Sequence, residues 1–150
     1  MKYDFRTKVF IDTNVLIDVF LQGRPCSHAS RVIFEAVHQH LLEGVITTQS
    51  LIDANYVLEK NGTVSQKDFF REVRYLRYCF NIEDLNWFDL DEAIDHPTGD
   101  FEDDIQFARA KDTCCDYIIT GDRHFRQRYK DHPSGIKICT PEEFAALLQE

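Results

Sequence analysis

The chain has 150 residues, of which 43% are hydrophobic and 29% charged, and its formal net charge is −9. This length and composition suit one globular domain with a single core, which we predict to span residues 1–150. No apolar run approaches the ~20 residues of a membrane helix, and the N-terminus lacks the apolar part of a signal peptide. The five cysteines form no CxxC pair, so we expect a cytoplasmic protein that does not contact a membrane.

Short apolar runs bounded by polar turns predict buried strands. In chain order these runs cover residues 9–11, 45–46, 86–88, 117–119 and 136–139. Apolar residues at helical spacing predict helices over residues 29–42, 50–60, 65–80 and 100–112. A capping-box pattern of Thr140, Pro141 and Glu143 predicts a last helix. Strands that alternate with helices indicate an α/β sandwich around a mostly parallel sheet.

Charge is spread unevenly along the chain. Residues 78–108 contain ten acidic residues and no Lys or Arg, whereas Arg123, Arg126, Arg128 and Lys130 lie in one short segment. The net charge of −9 argues against broad, nonspecific binding to nucleic acid. The short basic segment is therefore the candidate surface for phosphates.

Four aspartates are predicted at one edge of the sheet, because ligands of parallel α/β sheets bind beyond the carboxyl ends of the strands. They are Asp12 after the first strand, Asp53 in the first turn of a helix capped by Ser50, Asp103 in the first turn of a helix capped by Asp100, and Asp122 after strand 117–119. Each has an ordinary explanation as a helix cap or first-turn acid. Their joint placement indicates a site for a hard divalent cation, which can activate water and hold a phosphodiester.

Two further acids receive structural roles from the sequence. Asp116 precedes strand 117–119, at the end opposite to Asp122, and is predicted to be a structural hydrogen-bonding acid. Asp104 belongs to a run of four acids in residues 100–104 and is predicted to be a plain surface acid. Acids this close raise one another's pKa unless a cation neutralises them.

These segments together resemble the motifs of the PIN-domain family over nearly the whole chain. VFIDTNVLID resembles the first acidic motif, ITTQSLIDANYVL the second, DFEDDIQFARA the third and DYIITGDRHF the fourth. The resemblance implies a three-layer α/β/α sandwich with a parallel central sheet. It also implies a metal-dependent ribonuclease of the VapC-like toxin or PilT N-terminus type.

The resemblance further assigns roles to individual residues. It implies that Asp12, Asp53, Asp103 and Asp122 are the catalytic acids, and that Asp12, Asp103 and Asp122 bind Mg²⁺ or Mn²⁺. The supporting residues are Thr13, Asn14, Ser50, Asp116 and Thr120. The family's second acid is usually Glu, and Asp53 is one methylene shorter, so we expect it to reach the metal only through water. Attack of an activated water on phosphorus is expected to leave a 5′-phosphate and a 3′-hydroxyl.

RNA and protein partners follow from the same resemblance. Arg123, Arg126 and Arg128 directly follow Asp122 and are predicted to hold phosphates of single-stranded or loop RNA. Phe125 and Trp87 are predicted to lie in the core, and Tyr129 is predicted to belong to an ordinary solvated helix and not to stack on a base. The family also implies an antitoxin protein as a partner and a homodimer.

Three other functions would also fit parts of this sequence. A phosphoacceptor receiver domain needs a second acid directly after Asp12, where this chain has Thr13. A phosphatase with an aspartyl nucleophile needs an Asp at the position of Asn14. The stronger alternative is a noncatalytic PIN-like domain that binds RNA or protein, its metal site weakened at Asp53.

Overall fold

The structure, a computed structural model, describes residues 7–21, 23–62 and 64–150. A five-stranded sheet lies at the centre of this part of the chain. Its strands are Lys8–Ile11 (β1), Glu43–Thr47 (β2), Phe80–Glu83 (β3), Tyr117–Ile119 (β4) and Lys137–Cys139 (β5). The helices are Thr13–Phe20 (α1), Ser27–His38 (α2), Thr48–Asn61 (α3), Gln66–Cys79 (α4), Trp87–Asp95 (α5), Phe101–Asp112 (α6), Arg123–Arg128 (α7) and Pro141–Leu148 (α8).

All neighbouring strands of the sheet run parallel, in the order β3-β2-β1-β4-β5. From β1 the chain first builds β2 and β3 on one side, and later β4 and β5 on the other. The strand order therefore reverses between β1 and β4, which is where ligands of open α/β sheets bind. Because Ile11 pairs with Ile119 in register, the residues that follow these two strands are neighbours.

Helices cover both faces of the sheet, because successive strand residues point to opposite faces. Phe10, Val45 and Ile118 are buried against side chains of α6 and α7. The opposite face of the same strands packs against side chains of α1, α2, α3, α4 and α8. Phe125 is buried on the α6–α7 side, as predicted, and Tyr129 is buried beside it. The three-layer α/β/α sandwich with a parallel sheet is thus confirmed.

The predicted strand over residues 86–88 is wrong. The third strand is Phe80–Glu83, and residues 87 and 88 begin α5. Asn86 starts this helix with a capping box: its side chain accepts a hydrogen bond from Phe88 N (3.0 Å), and its backbone N donates to Asp89 Oδ2 (2.9 Å). Trp87, predicted to lie in the core, is 69% exposed at the first position of the helix.

No helix in residues 7–21, 23–62 and 64–150 is both long and apolar enough to cross a lipid bilayer.

Gly44 in β2 is required by close packing against β3. A Cβ atom at this position would lie 2.5 Å from Cε1 of Phe80 and 3.0 Å from Cγ1 of Val37. The Phe80 ring is buried and packs on Phe34 with ring centroids 4.9 Å apart, so it cannot simply move aside. Gly44→Ala is expected to lower the free energy of unfolding by about 1–3 kcal/mol, measured by urea denaturation. Adding Phe80→Leu should restore part of the loss, and an unchanged midpoint for Gly44→Ala alone would contradict this packing.

Candidate active site

Asp12 is held rigidly at the carboxyl end of β1. It is 7% exposed, and it caps α1 with Oδ1, which accepts a hydrogen bond from Thr13 N (2.7 Å). Oδ2 accepts from Thr120 Oγ1 (2.6 Å) and Asn14 Nδ2 (3.2 Å). Burial raises the pKa of Asp12, although the hydrogen bonds from Thr120 and Thr13 lower it. The carboxylate is thus fixed in orientation at the point where the strand order reverses.

The predicted supporting residues connect the acids to one another. Asn14 accepts a hydrogen bond from Gly121 N (3.3 Å), and Thr120 Oγ1 accepts from Asp122 N (3.0 Å). Thr13 Oγ1 and Ser50 Oγ share a hydrogen bond of 2.8 Å between α1 and α3. The ends of β1 and β4 are therefore joined through side chains that also contact or flank the acids.

Asp122 lies at the carboxyl end of β4, as predicted, and caps α7. Its Oδ1 accepts hydrogen bonds from His124 N (2.8 Å) and Phe125 N (3.3 Å). The charge of Asp122 raises the pKa values of both Asp12 and Asp103. Asp122 therefore belongs to the same electrostatic cluster as the other two acids.

Asp103 is an acid of the cluster whose pKa is strongly raised. It sits at the third position of α6, and its backbone N donates to the cap residue Asp100 (2.9 Å), as the sequence predicts. Burial and the charge of Asp100 raise the pKa of Asp103 to about 7, with Asp12 and Asp122 contributing in the same direction. Burial is the largest cause of this shift, and the neighbouring acids add an excess of negative charge beside Asp103.

Arg128 from α7 partly offsets this excess of negative charge. Its guanidinium forms an ion pair with Asp103, both side chains being largely buried, and it lowers the pKa of that carboxyl. Arg128 was predicted to contact RNA, and in this structure its partner is an acid of the site.

The clustered acids also include Glu102, which the sequence interpretation did not select. Burial raises the pKa of Glu102, and the charges of Asp53, Asp100 and Asp12 raise it further. In the sequence, the signal that could have identified Glu102 is the high density of acids in residues 100–104. Glu102 connects Asp53 electrostatically to the remainder of the cluster.

Asp104 is not the surface acid that was predicted. It is 5% exposed, and its carboxylate accepts hydrogen bonds from Thr98 N (2.9 Å), from the Thr98 hydroxyl (2.5 Å) and from the Tyr129 hydroxyl. Burial alone would raise the pKa of Asp104, but these hydrogen bonds lower it. Because this acid binds the loop before α6 to the end of α7, its role is structural.

The start of α3 differs from the prediction for Ser50 and Asp53. Thr47, at the end of β2, caps the helix through a bond from Ser50 N (3.0 Å), so Ser50 is its third residue. Asp53 consequently lies in the second turn, half-buried, and accepts a hydrogen bond from Gln49 Nε2 (3.0 Å). The helix begins earlier than predicted because Thr47, which precedes Ser50 in the chain, caps it.

Asp116 lies at the opposite end of the sheet from the other acids. It accepts a hydrogen bond from Lys8 N (2.8 Å) at the amino end of β1, which is the structural role expected from its position. Its carboxylate joins β4 to β1, and the family-derived role as an additional motif acid has no support from this placement.

The residues of the cluster fit a divalent cation by chemistry. Carboxylate oxygens are the ligands that Mg²⁺ and Mn²⁺ prefer. Asp12, Asp103 and Asp122 offer such oxygens in a region with an excess of negative charge. In residues 7–21, 23–62 and 64–150, no three acid, histidine or cysteine side chains already stand in a metal-holding arrangement. Asp103 forms an ion pair with Arg128, and Asp122 caps α7.

A parallel α/β sheet with carboxylates at its topological switch point is the arrangement that the sequence motifs predicted. The family model described as PIN domain matches residues 8–124. The chain therefore belongs to the PIN-domain family, and the predicted family is confirmed.

The chain is similar to a protein named as a ribonuclease and to solved structures titled as toxins. The chain is 24% identical over 142 residues to Ribonuclease VapC1 of Aquifex aeolicus (strain VF5), covering 91% of this chain and 92% of that protein. It resembles a toxin–antitoxin complex from Klebsiella pneumoniae (TM-score 0.61, 19% identity, 89% of this chain and 97% of that chain). It also resembles Mycobacterium tuberculosis VapC20, a sarcin-ricin loop cleaving toxin (TM-score 0.61, 13% identity, 78% and 92%). These structural likenesses show the fold.

Proposed function

We propose that the protein is a divalent-metal-dependent ribonuclease that hydrolyses phosphodiester bonds of single-stranded or loop RNA. The observation that carries this proposal is the group of carboxylates around Asp103, whose pKa they and burial raise to about 7. Membership of the PIN-domain family and the likeness to a named ribonuclease support the same activity. We further propose that residues 1–150 act as one PIN-like domain.

Asp12, Asp103 and Asp122 are the proposed ligands of Mg²⁺ or Mn²⁺. Such a cation supplies an activated water and neutralises charge on the phosphodiester. Thr120 and Asn14 keep the Asp12 carboxylate in one orientation through their hydrogen bonds. Thr13 and Ser50 fix α1 against α3, and the shorter Asp53 is proposed to act through water. The proposed products carry a 5′-phosphate and a 3′-hydroxyl.

The protein partner proposed from these relatives is an antitoxin. Trp87, Phe88 and Ile94 of α5 are 69%, 75% and 60% exposed, within the stretch that has ten acids and no Lys or Arg. Exposed apolar side chains flanked by acids fit a partner with apolar and basic side chains. A homodimer and action on RNA in the cytoplasm complete the proposal.

A second candidate function is a noncatalytic PIN-like domain that binds RNA or protein. Two observations favour it: Asp53 lies in the second turn of α3 rather than the first, and Arg128 already pairs with Asp103. Both would weaken a metal site. Turnover that depends on metal separates the two candidates.

The test is incubation of the purified protein with labelled single-stranded RNAs of several sequences, in Mg²⁺, in Mn²⁺ and in EDTA. We expect cleavage with either metal and none in EDTA, with restoration when excess metal is added back. The fragment ends should carry a 5′-phosphate, which is read by susceptibility to a 5′-phosphate-dependent exonuclease. Intact RNA in all three conditions, with native circular dichroism, would favour the noncatalytic domain.

A further inference from the structure

A cleft rich in cations lies between α7 and β5, beside the acidic site. It encloses about 580 Å³ and is lined by Arg123, Arg126, Lys130 and Lys137, with Ile136 and Ile138 on its apolar wall. We call this cavity the basic cleft. We propose that the basic cleft binds backbone phosphates of the RNA strand. A neighbouring phosphodiester linkage of the same strand then reaches the acids. The identity of the ligand rests on the proposed ribonuclease function.

The charge of this region is opposite to that of the whole chain. Residues 123–138 contain five Lys or Arg residues and one acid, Asp131, in a protein of net charge −9. Clustered cations beside a concave surface concentrate anions locally, even when the net charge of the protein repels them. The basic cleft is therefore a favourable place for phosphates.

The arginines of α7 lie on two different sides of the helix. At about 100° per residue, Arg123 and Arg126 of α7 lie about 60° apart on the helix circumference. Arg128 lies about 140° away from Arg123 on the same helix. This agrees with the structure, in which Arg128 contacts Asp103 and does not line the basic cleft.

The four cations of the basic cleft form no ion pair within the described part of the chain, although Asp131 also lines the cleft and Arg126 interacts electrostatically with Glu142. Arg24, Arg109 and Arg128 each form ion pairs inside the fold. No ion pair to Arg123, Arg126, Lys130 or Lys137 occurs within residues 7–21, 23–62 and 64–150. The buried Nε of Arg126 also finds no acceptor there. The exposed side chains of Arg123, Lys130 and Lys137 are therefore available to an external anion.

Continuity with the acidic site favours RNA over an acidic protein as the ligand. Arg123 lines the basic cleft and directly follows Asp122, which caps the same helix. A phosphate held by Arg123 therefore lies on a strand that passes the carboxylates. Guanidinium and ammonium groups are the usual ligands of backbone phosphates, and they need no particular base sequence.

The test is RNA binding in EDTA, where metal-dependent cleavage is suppressed, by fluorescence anisotropy of a labelled single-stranded RNA. Lys130→Gln/Lys137→Gln removes two exposed cations of the basic cleft, and Lys60→Gln/Lys67→Gln removes two exposed cations on α3 and α4 as a matched control. We expect Kd to rise about 10-fold for the cleft variant and less than about 2-fold for the control. The slope of log Kd against log salt concentration should fall by about 1.4 for the cleft variant, which is about 0.7 for each lost phosphate contact.

Lys137 also lies 5.7 Å from the centre of the Tyr117 ring, so Arg123→Gln serves as a second variant without that contact. Equal weakening of both double variants would show a net-charge effect only and overturn the assignment. Unchanged binding by the cleft variants would overturn it too, leaving an acidic protein as the remaining ligand. Metal-dependent cleavage is measured separately on the unmodified protein. A failure of the ribonuclease proposal is therefore distinguishable from a failure of the proposal that the basic cleft binds RNA.

Discussion

Asp103→Asn is expected to reduce metal-dependent RNA cleavage by at least about 100-fold. Substitutions in the layer behind metal ligands already cost about 10–100-fold in metal affinity or activity, and loss of a direct ligand should cost more. Asp103 is the acid on which the charges of Asp12, Asp100 and Asp122 converge. Removing its charge removes the excess of negative charge that a cation would neutralise. The measurement is the initial rate of cleavage at saturating Mn²⁺.

The matched control for this variant is Asp91→Asn, an exposed acid of α5 with the same change in charge and size. It should cleave within about 2-fold of the unmodified protein. Because Asp103→Asn leaves Arg128 without its acidic partner, circular dichroism and the thermal unfolding midpoint must show that the variant is folded. Binding of Mn²⁺, measured by calorimetry, should weaken in Asp103→Asn and not in Asp91→Asn. Full cleavage by folded Asp103→Asn would remove this residue from the site.

Arg109→Met is expected to lower the free energy of unfolding by about 3–5 kcal/mol. Arg109 on α6 is 5% exposed and Asp89 on α5 is 1% exposed, with 3.5 Å between Arg109 Nε and Asp89 Oδ1. Burial raises the pKa of Asp89, and the charge of Arg109 lowers it. Removing the arginine leaves a buried carboxylate without its counter-charge, which is costly even where the intact pair adds little. Urea denaturation followed by circular dichroism gives the measurement.

Lys111→Met is the matched control, since Lys111 lies on the same helix and pairs with Glu92. Those two side chains are 38% and 37% exposed, so their pair is screened by water, and the loss should stay below about 1 kcal/mol. Adding Asp89→Asn to Arg109→Met should recover a large part of the lost stability, because the buried charge disappears. Equal losses of stability for Arg109→Met and Lys111→Met would show that the buried ion pair between Arg109 and Asp89 does not contribute the expected energy.

Positions of the main acids could be predicted from sequence because each follows a simple local pattern. Asp12 comes directly after a short apolar run, Asp122 follows another such run after Thr120 and Gly121, and Asp100 precedes a helix with Asp103 at its third position. A parallel sheet then brings strand ends to one edge, which is general geometry. Their roles as metal ligands stay predictions.

Contacts between distant segments could not be predicted in the same way. Arg128 and Asp103 are 25 residues apart, and their pairing depends on how α7 packs beside α6. Asp104 looked like a surface acid because its donors, Thr98 and Tyr129, come from a loop and from another helix. The run at residues 86–88 is too short to distinguish a strand from a helix start, and the Asn86–Asp89 capping box decided it.

Asp122 caps α7 through a carboxyl oxygen atom, whereas its proposed binding of metal depends on its negative charge. Both backbone groups that need the cap, His124 N and Phe125 N, are served by Oδ1. An amide side chain offers one carbonyl oxygen and caps helices as well as a carboxylate does. An asparagine here would keep the helix and lose the negative charge. Asp122→Asn is therefore expected to give a folded protein that lacks one carboxylate proposed to bind metal, and such a variant would suit the capture of RNA or a protein partner without cleavage of the RNA.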